Sequence, residues 1–139
     1  MGERAGLLGA DGEPYVTFTV HSIAEGTCTE PMSEPPENGY YMFLDVSLQT
    51  APDLLDDYGS EFDLTFGWSV ITLDGNTSNA ALDSFGAFTC LPSSQMLPSF
   101  VGPGQSARGI IVLDTPTPSG VLVFKDILEP TGWEWEYPA

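Results

Sequence analysis

Basic side chains are nearly missing from this chain. Arg4, Arg108 and Lys125 stand against twenty Asp and Glu, for a formal net charge of −17. At most three carboxylates can take a Lys or Arg partner, so ion pairs cannot hold the fold together. The other carboxylates repel one another through water, screened over about 8–10 Å at physiological salt. This argues against nucleic acid or an anionic membrane as partner, since both need Lys and Arg to displace counterions. Either the charge draws cations and basic partners, or it simply keeps the surface solvated.

Histidine and cysteine are scarce too. His21 is the only histidine, so any Ser-His-Asp set would have to recruit it. It falls on the polar side of a predicted strand. Gly104-Gln105-Ser106-Ala107-Arg108 misses the nucleophile-elbow spacing, with Arg108 where the second Gly belongs. Gly102, Gly104 and Gly109 match neither dinucleotide nor Walker spacing and read as turn glycines. Two cysteines and one distant histidine make no zinc set, and there is no C-x-x-C pair. Cys28 and Cys90 lie at the edges of predicted elements, and we expect them to be joined as a disulfide. The alternative is two unrelated free thiols. No apolar run approaches the roughly 18 residues of a membrane span. The opening Met1-Gly2-Glu3-Arg4-Ala5-Gly6 lacks a signal-peptide apolar core and fails the myristoylation pattern at Gly6. The protein is thus either cytosolic or exported with its leader removed.

What the chain does have is apolar alternation. With 139 residues, 42% of them hydrophobic, it can bury one sizeable core rather than stay disordered. Residues 1–14 read as a linker and 15–139 as the domain. From Tyr15 to Ile23, Val16, Phe18 and Val20 share one face, with Thr17, Thr19 and His21 on the other, which predicts a half-buried strand. Residues 25–38 read as a long acidic loop. In 40–49, Tyr40, Met42, Leu44, Val46 and Leu48 face in. From Phe62, Leu64, Phe66, Trp68 and Val70 keep one phase and Ile71 and Leu73 the other, predicting a β-bulge near Val70-Ile71. Phe85 to Leu91 reads as a weaker strand. Two apolar runs at 107–114 and 120–125, split by Thr115-Pro116-Thr117-Pro118-Ser119-Gly120, read as adjacent strands. Trp133, Trp135 and Tyr137 alternate inward at the end. About seven strands and no helix of normal length predict an all-β, immunoglobulin-like antiparallel β-sandwich.

The order of these features resembles a family of exported Gram-positive bacterial domains of unknown function, commonly carried on lipoproteins. It is also similar to the mycobacterial secreted immunogenic sandwich proteins. The matching pieces are the Asn38-Gly39 turn into Tyr40–Leu48, Phe62-x-Leu64 with Asp74-Gly75, and Leu97-x-x-Phe100 before Pro103-Gly104. Gly109, Ile111, Leu113, Pro116 and the terminal Trp133–Tyr137 strand complete the match. The acidic insert after Thr50-Ala51-Pro52 departs from it. The resemblance implies an immunoglobulin-like fold, export, a cell-surface setting with any membrane attachment through a removed lipid anchor, and a binding or structural role. It supplies no catalytic residues.

Three functions follow as expectations. The first is a non-catalytic module without cofactor that binds a protein or cell-envelope component. Tyr41, Phe43 and Tyr58 would form its aromatic patch, unless the 25–38 loop or the second sheet covers the first two. The second is a calcium-stabilised module, with Asp53, Asp56, Asp57, Glu61 and Asp63 around a turn at Gly59, though without D-x-D-x-D-G spacing. The third is a small hydrolase using a carboxylate pair, for which the chain is short.

Overall fold

A strand that buries one face needs a second layer to cover it. The computed structural model describes residues 4–8, 14–31, 33–52, 63–65, 67–125 and 132–138. Among these residues lie seven strands: β1 (Arg4–Leu8), β2 (Pro14–Glu25), β3 (Tyr40–Thr50), β4 (Trp68–Ile71), β5 (Ser106–Thr115), β6 (Gly120–Phe124) and β7 (Trp133–Tyr137). One short helix, α1 (Phe85–Phe88), precedes β5. The sheets run in the orders β1-β2-β3-β5 and β4-β6-β7, with every paired strand antiparallel. This is the all-β sandwich expected from the strand count.

The core lies between the layers. Val16, Phe18, Val20, Met42, Leu44, Val46 and Leu48 come from one sheet, and Trp68, Val70, Leu122, Phe124 and Tyr137 from the other. Phe18 reaches across the interface, its ring centroid 5.4 Å from Phe124 and 6.0 Å from Trp133, edge-on to both. Trp133 and Trp135 are half-buried against this cluster, as their alternation predicts. The buried Trp68 indole N–H donates to the Leu64 carbonyl at 2.7 Å, so the largest ring in the core carries no unpaired donor.

Several expectations are corrected. The bulge falls in β2, not at Val70-Ile71. Val20 pairs with Val46 and Ser22 with Asp45, and the skipped His21 shifts the phase so that Ile23 enters the core. β4 holds register with β6 to its end at Ile71, and Leu73 lies 81% exposed in the turn beyond. Asp63–Thr65 is not strand: Leu64 is buried from a turn. The segment expected as a strand from Phe85 begins instead as α1. The runs flanking the Thr-Pro break belong to different sheets, because 116–119 spans the gap between layers. Residues 4–8 fall within the stretch read as linker, yet they pair with β2.

Removing the Phe18 ring takes away the contact that joins both layers. Phe18→Ala should cost about 3–5 kcal/mol of stability. Urea unfolding followed by tryptophan fluorescence checks this, and an unchanged midpoint would refute the packing described.

Candidate functional site

The outward face of β3 carries Tyr41 and Phe43, and neither forms an open patch. Tyr41 is 5% exposed and Phe43 half-buried. They join Ala87, Cys90, Leu91 and Val112 in a second apolar cluster outside the sandwich. The expectation of a recognition surface at Tyr41 and Phe43 is corrected: Gly26 sits against the Phe43 ring, and Glu34 and α1 cover Tyr41. Tyr58 falls outside the described residues.

A disulfide and a set of hydrogen bonds hold that cover. Cys28 and Cys90 form the expected disulfide, with Cα atoms 4.5 Å apart. Beside it the Thr29 N–H donates to the Cys90 carbonyl at 3.0 Å. Ser84 caps α1, its hydroxyl accepting the Ala87 N–H at 3.1 Å. Gly86 seats the helix on Tyr41, since a Cβ there would collide with the phenol oxygen. That hydroxyl donates to the Glu34 carbonyl at 2.9 Å. Asp114, fully buried at the end of β5, accepts the main-chain N–H groups of Glu37 and Asn38 at 2.7 and 2.9 Å. The Asn38 amide in turn donates to the Asp114 and Ala81 carbonyls.

With this cover fixed, an apolar groove of about 650 Å³ opens beside β5. Phe85, Phe88 and Phe100 line it while remaining 65%, 70% and 66% exposed, together with Leu91 and Met96. Its floor is the edge of β5. There Ile110 donates to the Gln95 carbonyl and accepts from the Leu97 N–H, both at 2.9 Å. Gly109 permits that approach: a Cβ would sit 2.5 Å from the Leu97 nitrogen. Asp63 and Asp83 stand on the rim, and no Lys or Arg among the described residues lines it. Sequence reasoning missed Phe85 and Phe88 as groove residues because the aromatic, Gly-containing run reads as strand. The signal was available: Ser84 before Phe85, with Phe85 and Phe88 at helical spacing.

The other candidate sites divide. Asp53, Asp56, Asp57 and Glu61 lie outside the described residues. Asp63 is described, and one of its oxygens accepts both the Thr65 N–H and the Thr65 hydroxyl in a local turn. Among the described residues no group of three or more His, Cys, Asp or Glu is arranged to hold a metal ion. His21 is exposed, its Nε2 2.8 Å from the Ser47 hydroxyl, with no carboxylate bonded to its ring among the described residues. The single ion pair among the described residues, Arg108 with Asp45 at 3.1 Å, lies on the same outer sheet face.

No family model matches the chain. No curated protein matches it by sequence. Two solved structures share its fold. A secreted Mycobacterium tuberculosis protein, MPT63, superposes with a TM-score of 0.61 at 14% identity, over 97% of this chain and 92% of that one. A Bacillus subtilis protein described as a lipoprotein, YcdA, gives 0.56 at 8% identity, over 99% of this chain and 39% of that one. Such low identities establish the sandwich and leave the groove's residues to be argued from this molecule.

The site generates two predictions. Replacing Cys28 and Cys90 by Ser should remove about 4 kcal/mol on a chain-entropy estimate. It should also speed amide exchange across 85–91, and unchanged exchange there would mean the disulfide does not hold the groove wall. Burial pushes the Tyr41 pKa above its ordinary value, and the nearby Asp114 carboxylate adds to the rise. The raised value favours the neutral phenol in the folded state. Its contribution is therefore complete below the unfolded pKa of about 10 and is lost as pH climbs through the folded one. Melting temperature should fall across that alkaline window, and less steeply in Tyr41→Phe.

Proposed function

We propose that this domain is a non-catalytic binding module of the cell exterior, and that its aromatic groove receives an apolar surface of a protein or cell-envelope component. One observation carries the reading. Three phenylalanines converge on a single trough and stay about two-thirds exposed, although 42% of the chain is apolar and a core was available for them. Covering one phenylalanine ring is worth about 1.5–3 kcal/mol. A partner that covers all three gains enough to bind, whereas water gains nothing from leaving them bare. Their positions are set by a capped turn, a disulfide and an edge ladder rather than by a free loop, which lowers the ordering cost of association.

The exterior setting is supported by the disulfide, which persists in oxidising compartments. It is also supported by the shared fold of a secreted protein and one described as a lipoprotein. Attachment through a lipid anchor belongs to the same proposal, and metabolic labelling with palmitate in the native host checks it.

The triple substitution Phe85→Ser/Phe88→Ser/Phe100→Ser should leave melting nearly unchanged, because these rings contribute little to the core. It should lower recovery of crosslinked envelope partners by about tenfold or more, equivalent to roughly 1.4 kcal/mol or more. Equal recovery by the two proteins would overturn the groove as binding surface.

A further inference from the structure

The groove's rim is as one-sided as the whole chain, and this narrows its partner. Resting on the binding reading above, we infer that the groove receives a protein segment in which a short apolar stretch is flanked by lysine or arginine. Asp63 and Asp83 supply the rim's charge. Thr65 engages one oxygen of Asp63, and the other has no donor among the described residues. Asp83 is exposed, and no described donor bonds its carboxylate. No described cation lies close enough to line the groove and neutralise them. Arg108 is bound to Asp45, and Lys125 sits exposed just past β6.

Other occupants fit worse. A second copy would bring another −17 charges to the same trough, and like charges brought together at an interface cost several kcal/mol. An anionic bilayer meets the same repulsion. A neutral lipid chain would fill the apolar floor and leave both rim carboxylates without a partner. A cationic amphipathic segment uses floor and rim together, and the field of the whole molecule speeds its encounter.

Fluorescence anisotropy with the full, disulfide-linked chain and labelled synthetic peptides tests this. One peptide has a Leu-Ile-Val core with paired lysines at each end, the second replaces the lysines by glutamates, and the third keeps the lysines around a Gly-Ser core. The first should bind at least about tenfold more tightly than either control at low salt. Its advantage over the glutamate peptide should shrink in about 0.5 M salt, where charges are screened within a few ångströms. Asp63→Asn/Asp83→Asn should reduce that advantage, and the triple phenylalanine variant should lose binding.

If lysine and glutamate peptides bind equally and the phenylalanine variant binds neither, the cationic assignment fails while the groove stands. Equal binding of the Gly-Ser peptide would reduce the effect to bulk charge and overturn the proposal. If no peptide binds, the proposal fails as well. In that case, neutral phosphatidylcholine vesicles retained by the wild type but not by the triple variant would assign the groove to lipid. If neither peptides nor vesicles bind, and the variant still recovers envelope partners as the wild type does, the groove reading falls too.

Discussion

A buried carboxylate that cannot find a cation must find an N–H or an O–H, and Asp114 is in that position. The structure turns main-chain N–H groups toward Asp114, Asp63 and Asp74. Asp114 accepts two backbone N–H groups. Asp63 takes the N–H and hydroxyl of Thr65. Asp74 is held by the Thr72 hydroxyl and by Asn76, which lowers its pKa, the Thr72 bond first. Only Asp45 has an arginine among the described residues. Charged hydrogen bonds to backbone are directional in a way that exposed ion pairs are not. The buried Asp114 thereby fixes the path of 37–38 and, through it, the carbonyl that receives Tyr41.

From that anchor the outer layer can be followed outward. Gly26 and Glu34 meet Phe43 and Tyr41 of β3, the disulfide ties Cys28 to Cys90 just past α1, and α1 rests on Tyr41 at a glycine. Four residues do not make a helix that survives alone. The cap, the close seat and the covalent link replace the length it lacks. Phe85 and Phe88 are consequently presented by a capped and tethered turn.

The layers of the sandwich were legible in the sequence, and its surface was not. Alternation from Tyr15 and again from Tyr40 reports which side of each strand is buried, because side chains repeat every second residue. The same rule misled where a residue left the ladder. His21 is skipped in the pairing, so Ile23 changes face, and nothing local to Val20-His21-Ser22 announces it. Ile71 and Leu73 suggested a phase change, but one closes a strand and the other caps a turn. Phe85 and Phe88 read as strand because aromatic residues favour sheets, whereas their three-residue spacing after Ser84 fits a helical turn. Tyr41 and Phe43 face outward as the alternation implies. What covers them comes from residues far along the chain, held by a disulfide and by Asp114, and such long-range contacts leave no periodic trace.

The Cys28–Cys90 link makes the groove wall sensitive to redox conditions. Under reducing conditions both sulfurs would be thiols, and the short turn bearing Phe85 and Phe88 would lack its tether. That turn would then be held only by its Ser84 cap and its Gly86 seat. The covalent bond joins positions 62 residues apart, so its reduction would enlarge the unfolded ensemble as well as release the groove wall.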